Sequence, residues 1–403
     1  MFFNTWQFAM FALLVVVIYR LASPRLRAYV LLLSGLIFYA SAGVGYLLLI
    51  VAVTLATYAC ARMLQSGKAG MRTGAFALGL LVLLGTLCYY KYARWITKSL
   101  AALFPHLHLG GFGPLIVPLA ISFFTFEFIH FLSDVRSGRI ERFTLKEFLT
   151  FAWFFPTMVA GPIKRYRLFS AQLGDLRMAQ GPDLQAALYR IACGLFKKIA
   201  IADPVTIFVD PLFHPQLGMT APVYAVAMVA ATVKIYYDLS GYSDIAIGFA
   251  QLFGVRVPEN FARPYWAPNI VEFWHRWHIS LSSWVRDYVF VPLARTWRKG
   301  APPSSTRGRS VTVVSFIVIM LIIGVWHGAG WHFAAWGLWN GVSLAAYYLW
   351  RNMVVVRVAF LRNGSLALDL ASIGLTYVSF AFGLALIAAP STADAMMVYR
   401  SFL

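Results

Sequence analysis

Two histidines, each following a tryptophan, are the residues of this chain best suited to move a proton. His278 lies in Glu272-Phe-Trp-His-Arg-Trp-His-Ile-Ser-Leu-Ser282, and His327 in Gly324-Val-Trp-His-Gly-Ala-Gly-Trp331. Imidazole takes and gives protons near neutral pH. A neutral His327 would accept the proton of a hydroxyl as that hydroxyl attacks an acyl carbon. The small residues Gly324, Gly328, Ala329 and Gly330 allow a helix or a substrate to approach closely. Trp326, Trp331, Trp336 and Trp339 supply rigid apolar walls. The alternative is a histidine hydrogen-bonded between helices, since polar residues inside membranes often act as packing glue. His278 would share a proton pathway with His327, bind the substrate, or hold an interface loop.

Other polar groups cluster nearby. Glu272, His275 and His278 fall on one helical face. No cysteine or third histidine lies near them, and the His-Glu-x-x-His order is absent, so no metal site is expected. Lys234-Ile-Tyr-Tyr-Asp-Leu-Ser-Gly-Tyr-Ser-Asp244 gathers Asp238, Ser240, Tyr242, Ser243 and Asp244 just after an apolar run. These residues either line a polar acceptor chamber or form a hydrogen-bonded helix break with Gly241 at the bend. Arg286 and Asp287 form an adjacent pair of opposite charge, read first as structural. Glu127, His130 and Asp134 share a helical face and form a further candidate buried polar set.

The surrounding elements belong to a membrane. The chain has 403 residues, 60% of them hydrophobic and 12% charged, with a mean hydropathy of +0.71. Soluble domains carry about 25% charged residues. A crossing helix needs about 20 mostly apolar residues, so the length allows roughly ten to twelve crossings and no sizeable soluble domain. Expected crossings are 3–19, 29–42, 44–61, 74–90, 116–132, 148–159, 184–201, 223–237, 311–326, 332–350 and 366–388. The segment 6–19 has no basic stretch before it and no small-residue cleavage site after it, which reads as a retained helix. Residues 238–287 mix polar, aromatic and proline residues, and are expected to form irregular backbone around an internal chamber.

The net charge of +19 comes from 34 Lys and Arg against 15 Asp and Glu. The cations sit in short connectors, among them Arg25, Arg27, Arg62, Lys68, Arg72, Arg298, Lys299, Arg307 and Arg309. This is the positive-inside pattern of a multi-pass protein, with anionic membrane lipids as partners, and not a nucleic-acid footprint. Lys164, Arg165 and Arg167 alternate with Tyr166, Leu168 and Phe169, as in an amphipathic segment at the cytoplasmic interface. Cys60, Cys88 and Cys193 are scattered in apolar segments and predict no disulfide framework.

In this order, several stretches resemble the membrane-bound O-acyltransferase superfamily. They are Val117-Pro-Leu-Ala-Ile-Ser-Phe-Phe-Thr-Phe126, Phe155-Pro-Thr-Met-Val-Ala-Gly-Pro-Ile163, and Asp238-Leu-Ser-Gly-Tyr-Ser-Asp-Ile-Ala-Ile-Gly248. Pro258-Glu-Asn-Phe261, the stretch from Glu272 to Trp284, Arg286-Asp-Tyr288 and Gly324-Val-Trp-His-Gly-Ala-Gly330 follow. The resemblance is to the bacterial branch that decorates cell-envelope polymers, which includes alginate O-acetylation and teichoic-acid D-alanyl transfer proteins. It covers roughly 117–341 within a single membrane domain, 1–403. It implies an all-α polytopic bundle of about eleven transmembrane helices, with re-entrant or interfacial helices around a central tunnel.

The same resemblance implies catalytic roles for His327 and His278. Trp274, Arg276, Trp277 and Asp287 also match the family pattern. With Trp326, Ser280, Tyr236, Asp238, Ser240, Tyr242, Asp244 and Arg286 they are candidates to line the tunnel. Lys164, Arg165 and Arg167 are candidates for the cytoplasmic donor side. No tightly bound cofactor is implied. The donor would be acetyl-coenzyme A or an acyl-carrier-protein thioester. A periplasmic SGNH-type enzyme would be the partner, an envelope polysaccharide the acceptor, and the cell inner membrane the location. His275 departs from the arginine or other polar residue common in relatives, and Leu239 from phenylalanine. The chain length is closer to the D-alanyl type, whereas the Trp-His-Gly-Ala-Gly-Trp stretch is closer to the alginate type, so both acyl groups stay open. Two readings of another class are a transporter or flippase, for which no paired halves are detected, and an export-complex scaffold.

Overall fold

The computed structural model describes residues 3, 5–106, 113, 115–358 and 365–403. Among the described residues every regular element is helical. They group into two compact units, 1–199 with 239–259, and 200–238 with 260–403.

In the first unit, α1 (Trp6–Leu21), α2 (Pro24–Ala40), α3 (Val44–Leu64) and α4 (Ala69–Leu87) follow one another through short connectors. After a π-helical turn at Cys88–Tyr92, α4 continues as Ala93–Leu103. Next come α5 (Ile121–Arg136), the short helices Leu145–Ala152, Phe155–Met158 and Tyr166–Ser170, and α6 (Gly181–Leu195). Thr144 and Glu147 cap the helix Leu145–Ala152 reciprocally, which satisfies backbone N–H groups that the helix itself leaves open. Buried rings fill the core, among them Phe128, Phe131, Phe148, Phe151 and Trp153.

The last 14 residues, 239–252, of a 32-residue helix, α7 (Ala221–Leu252), belong to this unit. The expectation of irregular backbone over 238–287 is therefore corrected at its start: the helix is unbroken through Gly241 to Leu252, and irregular backbone with one 3₁₀ turn follows over 253–269. That glycine serves close approach. A Cβ there would lie 2.9 Å from the Gly194 carbonyl oxygen, and one at Gly194 would lie 2.6 Å from that of Gly241. The two helix backbones touch because neither carries a side chain.

The second unit holds the short helices α8 (Ile270–Arg276) and α9 (Ile279–Val285), and the longer α10 (Thr306–His327), α11 (Trp331–Trp350) and α12 (Leu366–Ala388). Ser305 caps α10 by accepting from the Gly308 N–H at 3.0 Å. α10 and α11 form a tight hairpin. Its closeness comes from Gly324, where a Cβ would lie 2.3 Å from the Phe333 carbonyl oxygen and 2.9 Å from the Gly337 backbone. Replacing Gly324 with alanine is expected to force the pair apart at a cost of about 1–3 kcal/mol. Gly85→Ala in α4, where a Cβ meets nothing within 4 Å, is expected to be neutral or slightly stabilising. Thermal unfolding of both variants in one detergent checks the contrast.

Four described helical stretches are long and apolar enough to cross a membrane: Val44–Leu64, Ala69–Leu103, Thr306–His327 and Leu366–Ala388. Trp6–Leu21 is a shorter apolar helix. The protein is a helical membrane protein.

Candidate functional site

His327 is the last residue of α10. Its side chain is exposed there, whereas the sequence placed it among apolar walls at membrane depth. The walls are present on two sides. The imidazole meets the Trp326 ring at 4.8 Å and the Trp336 ring at 5.0 Å, edge to face in both cases. Trp336 is itself buried. Two rigid indoles thus limit the orientations of the imidazole while one side stays open. The small residues around it serve helix packing. A Cβ on Gly328 would collide with the Phe333 ring, as one on Gly324 would with the backbone of α11.

His278 sits at the sharp turn between α8 and α9. Its backbone is left-handed, with φ 44° and ψ 53°, a conformation that costs a non-glycine residue free energy and that concentrates at functional sites. The side chain is buried. It does not cap α9, and its Nδ1 has no hydrogen-bond partner among the described residues. Asn260 does the capping. The Ile279 N–H donates to the Asn260 carbonyl at 2.9 Å, and Asn260 Oδ1 accepts from the Ser280 N–H at 3.2 Å and the Ser280 hydroxyl at 2.6 Å. Asn260 therefore holds the turn and leaves the imidazole free for other work. In the sequence Asn260 stands only within the matching stretch Pro258-Glu-Asn-Phe261 and has no assigned role, because spacing does not reveal a partner twenty positions away.

His278 lies outside the four crossing stretches, and burial holds its imidazole below the usual range, at about 4. It is neutral at pH 7. The unfolded chain, with an ordinary imidazole near 6.5, binds the extra proton as the pH falls. The contribution to stability is complete above pH 6.5 and is lost as the pH drops toward 4. His278→Asn, which tolerates the left-handed backbone, is expected to flatten that part of the stability profile. Melting temperatures taken across this pH range for both proteins check it.

Ring contacts join the two histidines within this unit. His278 meets Phe261 at 6.3 Å, Phe261 meets Trp277 at 5.1 Å, and Trp277 stacks on Phe273 at 5.5 Å. Phe273 meets Trp274 at 5.4 Å, and Trp274 meets Trp336 at 6.0 Å. Tyr236 joins the same cluster through Phe261 and Trp277. Trp274 also lines a cavity of about 390 Å³ with Ser282, Ser283, Arg286, Phe316 and Ile319. Its indole Nε1 is buried without a partner among the described residues.

The remaining candidates divide between the units. In the second unit, Arg276 straps α8 by donating to Glu272 at 2.9 Å and to the Trp266 carbonyl at 3.3 Å. Arg286 and Asp287 pair at 2.9 Å. Asp238 is half-buried on α7. In the first unit, Ser240 is buried and Tyr242 half-buried. Asp244 receives Lys197 at 2.5 Å and Arg190 at 3.1 Å, and Arg190 also donates to Glu259. Two cations thus engage the Asp244 carboxylate.

Lys164 departs most from expectation. It is not a surface cation beside Arg165 and Arg167. It points inward, with its ammonium 2.7 and 2.8 Å from the two Glu127 carboxylate oxygens and over the Phe151 ring at 4.5 Å. Its charge is fully used there. Arg165 is half-buried, and Arg167 is exposed. The face carrying Glu127 was legible, and it holds more: His130 Nε2 accepts from the Tyr166 N–H at 3.1 Å, and Asp134 pairs with Arg139 at 3.0 Å.

The model of the MBOAT, membrane-bound O-acyltransferase, family matches residues 36–363. A probable alginate O-acetylase of Pseudomonas syringae is 36% identical over 335 residues, 81% of this chain and 62% of the relative. A peptidoglycan O-acetyltransferase of Helicobacter pylori is 32% identical over 79% of this chain and 63% of its own length. A teichoic acid D-alanyltransferase of Streptococcus thermophilus is 31% identical over 58% of this chain and 57% of its own length. The chain thus spans less than two thirds of the length of these relatives.

Proposed function

Because the chain belongs to the membrane-bound O-acyltransferase family, we propose that it moves an acyl group, acetyl in the first instance, from a cytoplasmic thioester to hydroxyls of an extracytoplasmic envelope polysaccharide. The observation that carries this reading is His327, exposed at the end of a membrane-crossing helix and flanked by two indoles. An imidazole there accepts the hydroxyl proton as the oxygen attacks the thioester carbonyl. The carbon–oxygen bond forms and the carbon–sulfur bond breaks. The proton passes from His327 to the departing thiolate, which leaves as a thiol.

His278, neutral and with an uncommitted Nδ1, is the second member of the pair in this reading, and the aromatic run between the two histidines is the wall along which the acyl group lies. About eleven crossings around a tunnel, an inner-membrane location and an SGNH-type partner outside complete the proposal. The transporter and scaffold readings lose weight, because the relatives are named as acyl and aminoacyl transferases. Acetyl transfer ranks before D-alanyl transfer because the alginate-type relatives align over 81% of the chain and the teichoic-acid type over 58%.

The test is reconstitution. Purified protein in vesicles receives radiolabelled acetyl-coenzyme A or a D-alanyl carrier thioester outside and a soluble polysaccharide inside. Label on the internal polysaccharide from the acetyl donor supports the proposal, and label from the D-alanyl donor alone replaces acetyl with D-alanyl. No transfer from either, with protein correctly inserted and the outer partner supplied, contradicts it.

A further inference from the structure

The geometry points to a lipid site in the first unit: we propose that a groove along α1 holds a chain of one anionic phospholipid, with its phosphate at the arginine-bearing end. The inference is independent of acyl transfer. The groove runs between α1, α6 and the end of α7, has a volume of about 490 Å³, and is lined by residues such as Trp6, Ala9, Leu13, Leu188, Ile191 and Phe249. Thr5 is the one hydroxyl-bearing residue of the lining, and its oxygen already accepts from the Phe8 N–H. Along α1 the lining extends from Trp6 to Val16, a rise of about 15 Å. That is half of a hydrocarbon core about 30 Å thick, the depth of one leaflet.

The two ends differ. At the Val16 end, Tyr19 donates to the Phe253 carbonyl at 2.7 Å, and the Ala179 N–H to the Leu252 carbonyl at 3.1 Å. This closes α1, α7 and the segment before α6 together. Arg20 follows Val16 by one turn and is exposed. Arg177 precedes the lining residue Met178 and is also exposed. The Arg27 guanidinium stands over Tyr19 at 5.3 Å, and Arg25 lies with it in the first turn of α2. Against these four cations stand Asp175, already paired with Arg177 at 2.7 Å, and Asp183. At the other end Trp6 is 73% exposed, and Lys198 lies over the Tyr242 ring at 5.7 Å. An apolar slot one leaflet deep with guanidiniums at one mouth is complementary to a chain beneath a phosphate. On the positive-inside pattern that mouth faces the anionic cytoplasmic leaflet.

The test is native mass spectrometry of the intact protein in mild detergent, titrated with phosphatidylglycerol or phosphatidylcholine. Wild type is expected to retain one phosphatidylglycerol about tenfold more tightly than phosphatidylcholine. Ala9→Trp or the milder Ala9→Leu, each filling the slot, abolishes that adduct. Val17→Trp, on an exposed position of α1 outside the groove, leaves it. Arg20→Gln with Arg177→Gln brings phosphatidylglycerol down to the phosphatidylcholine level. Equal retention of both lipids by wild type, an adduct that survives both Ala9 variants, or a dimer in place of the lipid-bound monomer overturns the proposal.

Discussion

His327→Ala is expected to lower acyl transfer by about 10²–10⁴-fold, the usual loss when a positioned acid–base group is removed. The same change is expected to leave the melting temperature nearly unmoved, because the side chain is exposed at the end of α10. Its truncation removes an exposed side chain rather than one from the core. The separation of the two readouts is what makes the variant informative. Were His327 merely packing between α10 and α11, alanine would cost stability first and activity only through unfolding. Trp336→Phe, which keeps an aromatic ring against the imidazole, is expected to lose far less activity. Transfer of radiolabel to polysaccharide, measured beside thermal unfolding for all three proteins, checks the pattern.

The largest expected effect on stability lies elsewhere, at Lys164. Its ammonium is 2% exposed and bonded to both oxygens of Glu127. Lys164→Met removes the cation and strands a carboxylate in the core of the first unit. Breaking a buried pair from one side costs about 3–5 kcal/mol, mostly because the remaining charge has no counterpart. The double variant Glu127→Leu with Lys164→Met removes both charges and is expected to regain most of that loss. A double-mutant cycle by thermal unfolding measures the coupling. A Lys164→Met protein as stable as wild type would mean that the pair contributes nothing to stability.

These two residues also show what the sequence disclosed and what it concealed. Membrane character was legible from composition, and the bounds of α12 agree with the apolar run 366–388 because a long apolar stretch with a single charge, Asp369, has few other solutions. The end of α10 was legible from the apolar run expected at 311–326, which stops one residue short of His327. The face carrying Glu127, His130 and Asp134 was legible from its spacing of three and four. The partners of these charges were not. Lys164 reads as one cation of a basic run until the fold brings Glu127, 37 positions away, against it. Asp244 reads as a chamber residue until Arg190 and Lys197 arrive from α6 and the turn after it. Periodicity reports which face a residue occupies, but the group that meets it there is a tertiary fact. The left-handed backbone of His278 was hidden for a related reason: a histidine carries no mark of φ, and the turn is set by Asn260.

The claim that most needs testing is that this chain esterifies an envelope polymer by way of His327. The direct measurement is mass spectrometry of envelope polysaccharide from cells carrying the wild-type protein, a deletion, or His327→Ala expressed at wild-type level. The account predicts an O-acyl ester that disappears with the deletion, returns with wild type and does not return with the alanine variant. An ester pattern unchanged by the deletion, or fully restored by His327→Ala, would contradict it.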